Sequence, residues 1–159
     1  LAAEHFDRLY AYAFRLTGAA DAADDLTQQT FLVAQQRLDQ LQHRERAGGW
    51  LMRILRNLFL KNCRRRMPLA ASQLELEVDE IGDTATVESA YDEERIQLTL
   101  RQLPDDYRAV VLMFYFEDLS YREIADELNL SLGTVMSRLS RAKAQLRRLL
   151  GTLERVALR

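Results

Sequence analysis

The sequence is poor in residues that interrupt helices or cross-link chains: its 159 residues include six glycines, two prolines and one cysteine. Because Cys63 has no second cysteine to pair with, an internal disulfide is impossible, and a reducing, cytoplasmic location fits best. No run approaches the roughly 20 apolar residues that cross a bilayer, and no charged-then-apolar leader opens the chain. We therefore expect a cytoplasmic protein without membrane insertion.

Residues that hold metals or perform acid–base chemistry are equally scarce. The two histidines, His5 and His43, lie far in sequence from each other and from Cys63. Metal ligands usually come in clusters with short spacing, so this distribution predicts no metal site. No grouping of His, Cys or paired carboxylates marks a catalytic centre either. The sequence therefore predicts no catalytic residue and no cofactor, and it argues against an enzyme.

Helix-forming residues are abundant, and charge is unevenly distributed. Leu, Ala, Arg, Gln and Glu all favour helices, which indicates an all-α fold. The net charge of -2 conceals three blocks. Residues 1–66 carry eleven basic and seven acidic residues, residues 67–94 carry nine acids and no base, and residues 95–159 carry eleven basic and eight acidic residues. Two small domains joined by an acidic linker, with boundaries near 66 and 94, explain this pattern.

The first block predicts a helical bundle and the second a linker. Apolar residues recur at helical spacing in three segments of the first block, namely 5–16, about 21–38 and about 50–66. In the second block Leu74, Leu76 and Val78 alternate with acids, which is a strand-like period. Because no second strand is present to pair with them, we favour an extended, flexible linker over 67–94. Two domains that touch little are then expected.

The third block predicts a helix-turn-helix. The segment SYRE has the form of a capping box, so a helix begins at Ser120 and ends near Leu128. Asn129 can adopt the left-handed conformation of a tight turn, and Ser131 can cap the helix that follows. Apolar residues spaced three and four apart over 132–149 place one side of that helix against the core.

The other side of this last helix is purely positive. A solvated helix face usually mixes charges of both signs, but no acid occurs between Leu130 and Leu153. We therefore interpret the face as a DNA-binding surface, since such a helix can enter the major groove, where arginine reads guanine. The residues predicted to contact DNA are Thr134, Met136, Ser137, Arg138, Arg141 and Lys143.

A second basic surface lies on the third predicted helix. The segment 44–66 holds eight basic residues and one acid, and Arg53, Arg56 and Asn57 lie opposite the apolar face. Trp50 stands at the start of the helix, where it can either pack in the core or stack on a nucleic-acid base. The sequence leaves both alternatives open.

The second predicted helix presents a different surface. Its face away from Leu26, Thr30 and Val33 holds one acid, one hydroxyl, two amides and an aromatic ring, namely Asp24, Thr27, Gln28, Gln35 and Phe31. An exposed Phe31 among polar residues indicates a protein-docking surface. Burial of Phe31 against a neighbouring helix is the alternative that periodicity leaves open.

Two segments, taken together, resemble a known family. DAADDLTQQTFLVAQQRLD followed by WLMRILRNLFL is similar to region two of the bacterial RNA polymerase sigma factors. LPDDYRAVVLMFYFEDLSYREIADELNLSLGTVMSRLSRAKAQLRRLL is similar to their region four. With only a short acidic segment between the two, the chain resembles the extracytoplasmic-function (ECF) group of the sigma-70 family.

The resemblance implies a transcription initiation factor that acts as a subunit of core RNA polymerase. Region two would be 1–66, region four 95–159, and the linker 67–94 would run through the channel that later holds RNA. Docking on the clamp coiled coil of the largest polymerase subunit is implied for Asp24, Asp25, Gln28, Thr30 and Phe31. Binding of the minus-10 element is implied for Trp50, Arg53, Arg56, Asn57 and Lys61.

The resemblance also implies how the promoter is recognised and how the factor is controlled. The 39–49 loop would accept a base flipped out of the stack, and the 131–143 stretch would read the minus-35 element. Expected partners are core RNA polymerase (clamp coiled coil and flap), promoter DNA and an anti-sigma factor that covers these surfaces.

A helix-turn-helix repressor or activator that does not bind core polymerase is the competing class. In such a protein 1–66 would be a sensory or dimerisation domain. This class explains the basic face of 131–143 but neither the second basic helix nor an exposed Phe31. Co-elution with core polymerase separates the two classes, since a repressor would elute unchanged.

Overall fold

The computed structural model describes residues 2–66 and 93–157, with side chains described as far as residue 151. All but the last two residues of the predicted linker 67–94 lie outside the described residues. The described ranges fold into helices without a strand, which confirms the all-α prediction. The helices are α1 (Ala2–Thr17), α2 (Ala20–Gln36), α3 (Ala47–Arg66), α4 (Glu93–Gln102), α5 (Asp105–Tyr115), α6 (Tyr121–Leu128) and α7 (Leu132–Ala157).

Helices α1 to α3 form the first domain around a shared apolar core. Leu9, Leu16, Leu51 and Leu55 are fully buried in this core, as their spacing along α1 and α3 predicts. Gly18 ends α1 in the left-handed region, with φ of +73°, and its N–H donates to the carbonyl of Phe14 at 2.8 Å. Two single 3-10 turns, Leu38–Gln40 and Arg44–Arg46, connect α2 to α3.

Helices α4 to α7 form the second domain, which contains the predicted helix-turn-helix. Ser120 and Glu123 make the reciprocal bonds of a capping box at the start of α6, and Asn129 ends that helix with φ of +54°. Ser131 Oγ then accepts the backbone N–H of Thr134 at 3.2 Å and so caps α7. The structure confirms these three predictions. Caps and turns can be predicted from the sequence because they depend on immediate neighbours.

The two domains pack against each other, so the expectation of two domains that touch little is wrong. Tyr12 of α1 stacks on Phe116 with ring centroids 5.1 Å apart, and Arg108 Nη1 donates to the carbonyl of Leu16 at 2.5 Å. Arg56 of α3 is likewise enclosed by the second domain. That expectation rested on the composition of the linker. The linker carries no information on which surfaces of the two domains pack together.

Candidate nucleic-acid interface

Helix α3 presents one stripe of cationic and amide side chains to solvent. Arg53, Asn57 and Lys61 are exposed and are spaced four residues apart, so they follow one another along a single face. The neighbouring face buries Leu51 and Leu55 in the first domain. The stripe is therefore held in place by a rigid, packed helix.

The stripe borders a cavity of about 440 Å³. Trp50, Arg53, Asn57 and Lys61 all line it, so four of the five residues predicted for the minus-10 element surround one space. Three apolar side chains and two polar ones complete the walls. The apolar ones are Val33 of α2 and Ile54 and Leu58 of α3, and the polar ones are Arg37 and Gln40 of the loop between these helices. An apolar wall with a cationic rim suits a nucleobase attached to a phosphodiester chain.

A second cavity of about 370 Å³ adjoins the first at Trp50 and Arg53. The 39–49 loop supplies most of its lining, namely Gln40, Leu41, Gln42, His43, Arg46 and Gly49. Trp50 is half-buried and packs against the core of its domain, yet it also lines both cavities. Trp50 therefore packs against the core and also borders both cavities, and stacking on a base stays a prediction.

Arg56 differs from the other predicted minus-10 residues. Only 1% of its side chain is exposed, and Glu117 and Glu127 of the second domain hold its guanidinium at 2.8 and 2.7 Å. Leu60, one turn further along α3, is buried as well. The prediction that Arg56 lies on an open face is wrong for this conformation, because the second domain covers that part of α3.

Helix α2 is rotated relative to the expected arrangement. Asp24, Asp25 and Gln28 are exposed as predicted, but Thr27 and Thr30 are buried. Their hydroxyls donate to the carbonyls of Ala23 and Leu26, both at 2.7 Å. Thr27 is therefore not on the outer face, and Thr30 cannot contact a partner in this conformation. Back-bonding to the preceding turn satisfies a buried hydroxyl, which explains why threonine occupies these core positions.

The apolar residue that α2 does expose is Leu32, at 61%. Phe31, for which exposure and burial against a neighbouring helix were both left open, is half-buried and stacks on Phe6 of α1 with centroids 6.3 Å apart. Sequence reasoning missed Leu32 because the outer face was centred on Phe31. The spacing of the buried set Ala23, Leu26, Thr30 and Ala34 was the signal that places Leu32 outside.

Helix α7 presents its polar face slightly differently from the expectation. Val135, Leu139 and Ala142 are fully buried, which confirms the apolar side, but Leu132 is 42% exposed. Beyond the first turn, Met136, Ser137, Ser140 and Arg148 are exposed. Met136 and Ser137 were predicted to contact DNA, whereas Ser140 was missed as a member of the same face.

The cationic residues of α7 flank this face. Arg138 and Arg141 are partly buried, and in the described part of the chain neither forms an ion pair. Lys143 is held by aromatic rings, with its Nζ 5.2 Å from the centroid of Phe114 and 5.6 Å from that of Tyr115. Thr134 is partly buried, and its hydroxyl lies 2.7 Å from that of Ser131.

Two further findings concern only the residues that the structure describes. Among them, no group of three or more His, Cys, Asp or Glu side chains is arranged to hold a metal ion. No described helix combines the length and the apolar character needed to cross a membrane.

Comparisons with known proteins identify the family of the chain. The family model for sigma-70 region 2 matches residues 1–68, and that for sigma-70 region 4 matches residues 93–146. The ECF RNA polymerase sigma factor SigW of Bacillus subtilis is 30% identical over 159 residues, covering 92% of this chain and 85% of that protein. SigE of Mycolicibacterium smegmatis is 38% identical over 152 residues, covering 92% of this chain.

This chain spans 59% of the length of that SigE relative. Among solved structures, the sigma factor RpoE in complex with the anti-sigma factor NepR from Bartonella quintana is similar, with a TM-score of 0.69 and 26% identity. The match covers 94% of each chain. The order of the two regions, the helix-turn-helix and the identity to curated relatives agree: the chain belongs to the ECF group of sigma-70 family RNA polymerase sigma factors.

Proposed function

We propose that the chain is the promoter-recognition subunit of a bacterial RNA polymerase. It binds core polymerase, recognises the minus-35 and minus-10 elements and promotes melting of the promoter. The observation that carries the proposal is the convergence of Trp50, Arg53, Asn57 and Lys61 on one cavity. A repressor of the competing class reads DNA through its helix-turn-helix and has no use for a base-sized cavity on the first domain.

Melting in this proposal is driven by capture of an unstacked base. Extruding one base costs a few kcal/mol, and stacking it on an aromatic ring returns about 1–3 kcal/mol. Trp50 supplies the ring, while Arg53 and Lys61 supply charges for the adjoining phosphates. Binding energy therefore shifts the promoter toward its melted state without hydrolysis of a nucleotide. The factor itself then performs no reaction, and it works in the cytoplasm, where polymerase and DNA are present.

Recognition of the minus-35 element is assigned to α7. The capped start of the helix and the exposed positions Met136, Ser137 and Ser140 suit entry into a major groove. Arg138 and Arg141 on the flanks, without carboxylate partners among the described residues, are free to bind guanine or phosphate. Lys143 would have to leave its aromatic rings to reach a phosphate.

The decisive experiment is run-off transcription with core polymerase on a randomised promoter library. The full chain should co-elute with core polymerase and select templates that share two motifs at fixed spacing. A chain that leaves core polymerase unchanged on a sizing column, yet retains duplex binding, would support the repressor class instead.

Docking on the clamp coiled coil is assigned to the exposed face of α2. Asp24, Asp25 and Gln28 supply polar contacts there, and Leu32 supplies the apolar anchor that Phe31, being half-buried, cannot supply alone. Leu32 with Asp24, Asp25 and Gln28 around it would match the apolar centre and polar rim of a protein interface.

Replacing Leu32 by alanine should therefore weaken binding to core polymerase by about 1–2 kcal/mol, roughly five- to thirtyfold. Because Leu32 is 61% exposed, the melting temperature should stay unchanged. The matched control is Leu38→Ala, which removes a 53% exposed leucine beyond the end of α2. Equal affinity of the Leu32 variant and the wild type for immobilised core polymerase would remove Leu32 from the interface.

Regulation by an anti-sigma factor is part of the proposal. The RpoE structure to which this chain is similar contains an anti-sigma factor. CnrH, solved in complex with the cytosolic domain of CnrY, is similar as well, with a TM-score of 0.60 and 27% identity. The basic face of α7 and the docking face of α2 are the surfaces such a partner would need to cover.

Arg141 is the arginine assigned to base reading. If it binds guanine through two hydrogen bonds, Arg141→Ala should cost about 1–3 kcal/mol and relax the preference at one base position. The measurement is binding of the chain with core polymerase to wild-type and single-base-changed minus-35 duplexes at two salt concentrations.

Arg148→Ala is the matched control for this measurement. It removes the same charge from an exposed position two turns away, where Nη2 donates to Gln145 at 2.8 Å. Any effect of the control should be the same for every sequence and should lower the salt slope by about one unit at most. If Arg141→Ala weakens all duplexes alike, Arg141 binds phosphate and does not read a base.

A further inference from the structure

Arg56 is the centre of a polar cluster at the boundary between the two domains. Its Nη1 donates to both carboxylate oxygens of Glu117, at 2.8 and 2.9 Å, and its Nη2 donates to Glu127 at 2.7 Å. Arg53 Nε lies 2.9 Å from the same Glu127 oxygen. The hydroxyl of Tyr12 completes the cluster with a 2.6 Å bond to Glu117. Two carboxylates of the second domain therefore hold two cations of the proposed minus-10 surface.

We propose that this closed arrangement is an autoinhibited state of the free factor, in which Glu117 and Glu127 occupy the cations that promoter DNA would otherwise bind. Arginine pairs with carboxylate and phosphate through the same planar donors. A phosphodiester therefore cannot use the buried Arg56, and it must compete with Glu127 for Arg53. The proposal depends on the proposed function only in naming promoter DNA as the competing ligand.

Promoter geometry requires the two domains to separate. Elements centred 10 and 35 base pairs from the start of transcription lie 25 steps apart, which is about 85 Å at 3.4 Å per step. A compact chain of this length has a radius of gyration of about 15 Å and a diameter near 40 Å. The closed form is too short to contact both elements, so opening must precede or accompany promoter binding.

The remaining contacts of the boundary would all be broken on opening. Arg101 crosses from α4 onto Gly18, where its Cγ lies 2.6 Å from the place of an added Cβ. Gln97 donates to the carbonyl of Phe14 at 3.1 Å. Burial, and then the charge of Glu117, raise the pKa of Tyr12 well above its usual value, so Tyr12 remains a neutral donor in the closed form.

Cys63 provides an internal reporter of opening. It is half-buried on α3 beside Asp105 of the second domain. Burial, and then the carboxylate of Asp105, raise the pKa of its thiol to about 12. Separation of the domains would return the pKa toward the ordinary value of about 8.5. Since the thiolate is the reactive species, alkylation of Cys63 at pH 8 should report the open fraction.

The test is the double variant Glu117→Gln, Glu127→Gln in the full chain, with iodoacetamide as the probe. Loss of both carboxylates leaves Arg56 as a buried charge without a counter-ion, which favours opening. The rate of Cys63 alkylation should rise about tenfold or more, and the radius of gyration from scattering should increase. Far-UV circular dichroism should show that helix content is retained.

The matched control is Asp118→Asn, Asp126→Asn, which changes the net charge of the same domain by the same amount. Both aspartates are exposed, and asparagine tolerates the positive φ of Asp118. The single variant Glu127→Gln, at a position whose side chain is 24% exposed, should fold and show a smaller rise of the same sign. Equal alkylation rates in the double variant and the control would overturn the proposal.

A DNA-binding measurement separates this proposal from the proposed function. A single-stranded 20-mer should bind the free Glu117/Glu127 variant more tightly than it binds the Asp118/Asp126 control. Faster alkylation with equal DNA affinity would mean that closure does not block the cations, and the proposal would be wrong. Failure of every variant to bind core polymerase would contradict the proposed function and leave the alkylation result unaffected.

Discussion

Replacing Arg108 by methionine is expected to lower the free energy of unfolding by about 3 kcal/mol or more. The guanidinium is buried and donates to the carbonyls of Leu100 and Leu103 at 2.7 and 2.8 Å. It also donates to the carbonyl of Leu16 in the first domain at 2.5 Å. Methionine has a similar length but leaves these buried carbonyls without a donor.

The charge of Arg108 also suits its position. The carbonyls that it binds lie at the carboxyl ends of α1 and α4, where aligned peptide dipoles favour a cation. Burial lowers the pKa of Arg108, an effect that the nearby carboxylate of Asp105 opposes. Arginine tolerates such a decrease because its ordinary pKa lies far above neutral pH.

Thermal unfolding of the full chain, followed by circular dichroism, measures the effect of Arg108→Met. The melting temperature should fall by roughly 10 °C for a protein of this size. Arg122→Met is the control, because Arg122 lies exposed on α6 and should change the melting temperature little. A similar fall in melting temperature in both variants would show that loss of a positive charge, and not loss of the buried hydrogen bonds, destabilises the protein.

The sequence predicted those features that depend on neighbouring residues. The capping box at Ser120, the left-handed Asn129 and the cap at Ser131 all follow from residues within one turn of each other. Helix boundaries were less accurate, since α3 begins at Ala47 and not near Trp50. α4 similarly includes Glu93, which the charge pattern had assigned to the linker.

The sequence could not predict which helix faces are covered by distant residues. Arg56 was placed opposite the apolar face of α3, and only carboxylates of the second domain, some 60 residues later, explain its burial. In α2 the error was local. Thr27 was assigned to the outer face by its spacing from Asp24 and Phe31, although a hydroxyl bonded to the preceding turn can be buried at little cost.

The same distinction applies to the candidate site. Arg53 and Asn57 were placed on the open face of α3 by their spacing, whereas Lys61 was named only through the family resemblance. Their relation to the 39–49 loop depends on how that loop folds back between α2 and α3, which no periodic pattern encodes. Glu117 and Glu127 carry no motif at all, so their role could be found only from the structure.

Trp50→Ala is expected to reduce run-off transcription from a duplex promoter about tenfold to a hundredfold. Loss of one stacked base costs about 1–3 kcal/mol, and each 1.4 kcal/mol is a factor of ten in the population of the melted promoter. Trp50 is only half-buried, so the variant should still fold and bind core polymerase. The measurement is transcript yield with equal amounts of assembled holoenzyme.

Two comparisons make the interpretation specific. Trp50→Phe keeps an aromatic face and should retain most of the yield, since stacking requires a ring more than a particular side chain. A template with an unpaired minus-10 segment needs no melting, so Trp50→Ala should recover part of its yield on that template. If the loss is equal on duplex and unpaired templates, and Trp50→Phe is as impaired as Trp50→Ala, Trp50 maintains the packing of α3 and does not capture a base.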